Sequence, residues 1–405
     1  MKPFAHGHAA HADWRVALAR AAQQIDSARG DERSGAPTLG WLYFSDHYAS
    51  EAEALYDEVR RRWPGVAWVG ACGIGVSASG VEHFDEPGLA LMLAALPRSD
   101  FRVFSGAQPL GGFAAHTAQV HADPATPDLA ELIGELSART ASGYLFGGLA
   151  SGRGRAPQIA DGVHDGGLSG VAFSGRIALV SRVTQGCQPV GPVRTITGAE
   201  RNVIATLDGQ PALACLLGDL GIDIATPDRA LPAVRQTLAG LSAGNTDLLA
   251  HAGQFGADTL VRHLIGIDPQ RGAIAIGDAV QPGMHLAFCQ RDTEAARRDL
   301  VRICAEVREE LEPDELALHD ARPAARTAAA AALPAGAALG PRIAGAIYVS
   351  CSGRGGPHFG APSAELAIVR RALGDVPLAG FFAAGEIARN HLYGYTGVLT
   401  VFAAD

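Results

Sequence analysis

Gly73-Ile74-Gly75-Val76-Ser77-Ala78 follows an apolar run from Val66 to Cys72, and the reading of this string decides the fold class. A strand that empties into G-x-G-x-x-A opens a dinucleotide-binding βαβ unit when a helix starts on the glycines and receives a pyrophosphate. Here Gly80, and then Pro87-Gly88, fall where the first turns of that helix must lie, and both residue types interrupt helices. The competing reading is a glycine corner that joins two strands.

The surroundings favour the corner. Upstream, 38–45 reads as a strand, and 48–63 as a helix with Ala52, Leu55, Val59 and Trp63 on one side until Pro64-Gly65 ends it. Downstream, 89–96 and 101–104 read as consecutive strands, and 125–139 contains a short helix. Strand 144–149 then ends in a second glycine corner over 147–152. Segments 167–173 and 176–183 flank Ser174-Gly175 and read as a hairpin, with further strands at 192–197 and 202–207. Asp208-Gly209 turns the chain, and Pro211 suits the first position of a helix over 212–220. Strand-rich runs without intervening helices exclude a doubly wound sheet. They predict the α+β class, with two domains whose mixed, largely antiparallel sheets are flanked by helices.

The length of 405 residues also predicts two domains, one large intertwined fold being the alternative. Residues 1–35 read as a tail and a helix. Asp13 caps the helix, Trp14, Leu18, Ala21 and Ile25 recur at helical spacing, and His6, His8 and His11 are expected in a solvated tail. A first domain spans 36–225, and a loop containing Pro227 leads to a second over 226–405. The second begins with a helix at 231–241, followed by strands at 260–267, 272–276 and 285–289. Asp292 caps a helix carrying Leu300, Ile303, Val307 and Leu311 on one face, and an Ala-, Pro- and Gly-rich insertion occupies 321–340. A strand from Ile343 follows, Ser363 caps a helix to Leu373, and strands at 378–387 and 396–402 close the chain. No repeat of fixed period is visible.

Composition removes several functions. The net charge of −9 gives a phosphate backbone no basic surface, so nucleic acid is not expected as a partner. Lys2 is the one lysine, which excludes Walker A, kinase and Schiff-base chemistry inside the fold. Six cysteines at 72, 187, 215, 289, 304 and 351 include no C-x-x-C pair, so neither a metal nor another cofactor is expected. Without a leader-like apolar start or a membrane-length run, the expected location is the reducing cytoplasm.

Chemistry concentrates in Ser350-Cys351-Ser352-Gly353-Arg354-Gly355-Gly356, which the 343–349 strand delivers. Arg354 can hold a carboxylate through paired hydrogen bonds, and Glu386 can accept an ammonium. Phe381, Tyr393 and Tyr395 would supply wall and hydroxyls, and Gly353 and Gly355 leave backbone amides approachable. Ser352 completes the loop. The bland reading is that Arg354 and Glu386 pair with each other and fix two loops. Cys351 permits an enzyme reading, as the nucleophile of an acyl-transfer or hydrolytic reaction with His391 or His358 as base and Glu386 orienting it. Its alternative is a small buried apolar residue, since no G-x-S-x-G elbow accompanies it. A scaffold that binds only proteins is a third reading.

The words Gly147-Gly148-Leu149-Ala150, Pro189-Val190-Gly191-Pro192, 207–213, Cys351 with Arg354, and 380–387 stand in an order and spacing that resembles the FIST family, over nearly the whole chain. The resemblance implies a FIST-N domain followed by a FIST-C domain, and a sensory module in signal transduction that binds a small ligand such as an amino acid. Because no kinase, cyclase or chemoreceptor segment accompanies them, the implied partners are that ligand and a separate signalling protein. The family pattern often carries histidine where this chain has Tyr393. His391, two residues earlier, lies on the same face of an extended segment.

Overall fold

A computed structural model describes residues 2–28, 35–222, 227–243, 249–251, 254–256, 259–311 and 343–404. The 321–340 insertion lies outside these. The glycine corner is real: strand Ala67–Gly73 passes through Ile74 into strand Gly75–Ala78, which returns as Val81–Phe84. The class is α+β.

Three six-stranded sheets form the body. The first runs Ala5–Ala10, Gly88–Ala94, Leu39–Ser45, Ala67–Gly73, Gln158–Ala160, Val163–His164. The second runs Phe101–Phe104, Leu168–Phe173, Thr117–Ala122, Tyr144–Leu149, Glu386–Arg389, His391–Tyr393. The third runs Leu179–Gln185, Thr396–Ala403, Ile343–Cys351, Leu378–Ala383, Gly75–Ala78, Val81–Phe84. Taken in these directions all three have one plan. The third and fourth strands are parallel, and every other neighbouring pair is antiparallel.

Each parallel pair needs a crossover, and helices Ala52–Arg62, Leu129–Ala138 and Ala364–Leu373 supply it. The repetition extends to register: Leu42 faces Gly70, Val120 faces Gly147, and Tyr348 faces Gly380. A Cβ on those glycines would fall 1.8, 1.9 and 1.7 Å from the carbonyl oxygen of the facing residue, so the close strand approach is built the same way three times.

The last two strands of each sheet are borrowed. The hairpin after Gly73 completes the third sheet, the hairpin after Leu149 completes the first, and the hairpin after Ala383 completes the second. Strands from both sides of residue 226 therefore share the second and third sheets. The inner faces meet in one core that includes Trp41, Tyr43, Phe146, Phe173, Phe381 and Phe402. A polar chain crosses it, with Trp41 Nε1 donating to Gln119 Oε1 (2.7 Å) and Gln119 Nε2 to Tyr43 Oη (2.5 Å).

Between the Leu179–Gln185 and Ile343–Cys351 strands lies a small antiparallel barrel. Its strands Arg194–Glu200, Val203–Leu207, Ala273–Ile276, Leu260–Asp268, Thr237–Ser242 and His285–Arg291 pair in a closed ring. Helix Thr293–Leu311 returns the chain to the body, burying Leu300, Ile303 and Val307 as its spacing predicts, and Asp292 Oδ1 accepts the Ala295 N–H (2.5 Å).

Several expectations are corrected. Residues 168–173 and 179–185 are strands but not a hairpin. Asp100 accepts hydrogen bonds from Ser174 N (2.8 Å) and Arg176 Nε (2.6 Å), and this anchored turn sends the chain into a different sheet. The helix expected over 231–241 ends at Gln236, and Thr237–Ser242 is a barrel strand whose six residues are all buried. The single strand expected over 378–387 breaks at Ala384-Gly385. The histidine tail is ordered: Ala5–Ala10 pairs with Gly88–Ala94, Phe4 enters the core, and His8 Nδ1 meets His83 Nε2 at 2.9 Å. Strand 117–122 was not anticipated.

Candidate functional site

Ile343–Cys351 is a central strand with all nine residues buried, and its end is fixed by Ser352 N donating to Ala383 O (2.8 Å). Arg354 then turns inward. Its Nε and Nη2 donate to Glu365 Oε1 at 2.9 and 2.6 Å, and the Tyr348 hydroxyl (2.7 Å) shares that oxygen. Ser350 Oγ donates to Oε2 (2.9 Å), and the Phe359 ring lies 5.0 Å beneath the guanidinium. Arg354 is 1% exposed and Glu365 0%. Burial opposes the charge on Arg354, but Glu365 and Tyr348 hold its pKa above the ordinary range. The cluster pins the 352–359 loop to helix Ala364–Leu373.

The expected Arg354–Glu386 arrangement is therefore not what forms. Glu386 is also sealed from solvent, with Oε2 accepting from Thr396 N (3.1 Å) and Oγ1 (2.7 Å). Burial pushes its pKa up to about 8 against those bonds, so it is mostly a neutral acid at pH 7. Phe381 stacks on Tyr43 in the core at 5.2 Å, and Gly355 lies under the Phe84 ring, where a Cβ would come within 2.1 Å.

A cavity of about 750 Å³ opens above this layer. Of the expected residues, Cys351, Ser352, Gly353, His391, Tyr393 and Tyr395 line it; Arg354, Gly355, Phe381 and Glu386 stand behind. His358 lies elsewhere, its Nδ1 3.1 Å from Arg291 Nη2, and burial with the neighbouring arginines pushes its pKa down to about 4. The far wall comes from the barrel. Arg262 Nε donates to Asp278 Oδ2 (2.7 Å), its Nη2 donates to Leu392 O (2.9 Å), and His263 Nε2 meets Tyr395 Oη at 2.5 Å. Arg262, His263 and Asp278 were missed in the sequence. The available signal was two adjacent basic residues inside an apolar strand.

Burial pushes the Cys351 thiol up to about 12, with the Glu386 charge adding to the rise and backbone amides of Gly353 and Tyr395 opposing it. That is the reverse of an activated thiolate. Among the described residues no three His, Cys, Asp or Glu side chains group as metal ligands, and no helix is long and apolar enough to cross a membrane.

The FIST N domain model matches residues 38–210 of this chain and the FIST C domain model matches residues 212–389. The chain belongs to the FIST family. FIST domains are generally small-ligand sensory domains in signal transduction. The chain is similar to an uncharacterized protein of Mycobacterium tuberculosis strain H37Rv, 33% identical over 402 residues, covering 94% of this chain and 95% of that protein. It is also similar to an uncharacterized protein of Mycobacterium bovis, 31% identical over 425 residues and 97% of each.

Proposed function

We propose that the protein is a cytoplasmic sensor of an amino acid or similar small polar metabolite, bound in the cleft between the Cys351–Gly353 strand end, the 386–395 hairpin and the barrel wall. The observation that carries the reading is the Arg262–Asp278 ion pair on the wall of a cavity whose size suits a small ligand. A zwitterion carries the complement of both groups. Its carboxylate takes the Arg262 fork, its ammonium takes Asp278, and the resident pair is exchanged for two pairs with ligand. Tyr395, His263 and Ser352 offer polar contacts beside it, and Cys351 is a small neutral wall.

Because Arg262 also holds the Leu392 carbonyl, occupancy is passed to the hairpin that completes the second sheet. On this reading the proposed domains, 36–225 and 226–405, act as one receptor, whose output goes to a separate signalling protein. Calorimetric titration with a panel of amino acids tests this: one or more bind, and Arg262→Ala weakens that binding at least tenfold. Folded protein that binds none of them sinks the proposal.

A further inference from the structure

The threefold plan of the sheets makes positions comparable between units. Counting from the facing pairs Tyr348/Gly380 and Val120/Gly147, Cys351 corresponds to Asp123, Ser352 to Pro124, Gly353 to Ala125, Ala384 to Ser151 and Gly385 to Gly152. The first residue of every pair lines the 750 Å³ cleft. The second residue of every pair lines a separate cavity of about 670 Å³. The fold thus builds the same cleft twice, at the carboxyl ends of two parallel strand pairs, where ligands enter α/β sheets for the same geometric reason.

At the third equivalent place, beside Leu42/Gly70, the position matching Ser352 is Asp46, and it is occupied by a side chain. Arg153 lies across it, with Nε 3.0 Å from Asp46 Oδ2 and Nη2 2.6 Å from Asp85 Oδ1. The second cavity also reaches the middle of the assembly, since Ile74 and Ala384, the counterparts of Ser151 in the other two units, are in its wall.

Its charge differs from that of the first cleft. Where the first has the Cys351 thiol, the second has the Asp123 carboxylate, whose oxygens accept the backbone N–H groups of Ala125 (2.7 Å) and Gly166 (3.1 Å). Asp165 is a second carboxylate in the wall. The guanidinium in that wall, Arg155, is already engaged by Asp165 (2.9 Å) and Glu53 (2.5 Å). Two acids line a volume whose one lining arginine among the described residues is shared with a third acid, so the charge of its wall is net negative.

We infer that this axial cavity is a second binding site, for a small aliphatic amine whose ammonium group pairs with Asp123. The inference stands apart from the Arg262 site and uses none of its residues except Ser352 and Ala384, which both cavities share. The probe is putrescine, titrated calorimetrically into the full chain at physiological ionic strength. One saturable site is expected, weakened at least tenfold by Asp123→Asn and by Ile74→Trp, which fills the cavity from the opposite wall, and unchanged by Arg262→Ala. If Asp123→Asn does not fold, as judged by circular dichroism, Ile74→Trp decides. Absence of saturable binding overturns the inference. So does equal binding by every variant, which marks the amine as held on the acidic surface, or loss only in Arg262→Ala, which places it in the first cleft.

Discussion

The Arg354 guanidinium is neutralised by Glu365, eleven residues on, with 2.9 and 2.6 Å hydrogen bonds in a site closed to water. A buried pair contributes little net energy when both partners are present, but removing one strands the other. Arg354→Met or Glu365→Gln alone is expected to cost roughly 3–5 kcal/mol. The double variant should cost less than the sum of the two. Urea denaturation of the four proteins checks the coupling.

Glu386 predicts a pH dependence of opposite sense to an ordinary ion-paired carboxylate. Its folded pKa of about 8 lies above the ordinary glutamate value of 4.5, so the native state keeps the proton longer than the unfolded chain. The favourable contribution is complete below about pH 4.5 and is lost as pH rises through about 8. Glu386→Gln mimics the neutral acid, so its stability relative to the wild type should grow steadily between those limits. Denaturation curves at several pH values across that window measure it, and a constant difference contradicts the assignment.

The three facing glycines should be the least replaceable in the body. Alanine at Gly147 places a methyl group 1.9 Å from the Val120 carbonyl oxygen, with rigid backbone on both sides. The expected loss exceeds about 4 kcal/mol, in the range reserved for backbone and core disruption. Gly154→Ala, with nothing within 4 Å, is the control and should melt close to the wild type.

Thiol reactivity separates the receptor from the cysteine enzyme. With its pKa near 12, Cys351 should react slowly with iodoacetamide at neutral pH. Cys215, which is only partly buried, should be labelled first. Peptide mapping by mass spectrometry reads the order directly. Preferential modification of Cys351 would restore the nucleophile reading.

Local structure was legible wherever one residue type has one physical use. Gly80 and Pro87 ruled out a helix after Gly75, Asp292 marked a helix start, and Leu300, Ile303 and Val307 marked its buried face. What could not be seen was partner choice. Ser174-Gly175 looks like a hairpin turn because turn chemistry is local, while the hydrogen bonds to Asp100 that turn the chain away come from a distant segment. The threefold plan was hidden for a related reason. Its markers, Gly70, Gly147 and Gly380, are unevenly spaced because the barrel is inserted in the third unit. At the site, the motif around Cys351 stands out in the sequence, whereas Glu365, in the first turn of helix Ala364–Leu373, and Arg262, inside strand Leu260–Asp268, meet partners that local sequence does not specify.

The borrowed hairpins also set a timetable for synthesis on the ribosome. Residues 75–84 emerge early, yet their seat beside Leu378–Ala383 is made only after the whole barrel, and among the described residues Leu179–Gln185 has no strand partner until Thr396–Ala403 arrives. The nascent chain therefore carries unpaired strand edges until those partners are made, which exposes it to misassociation in the meantime. Closure of the second and third sheets must wait for residues 378–403, the kinetic consequence of sharing strands in a ring.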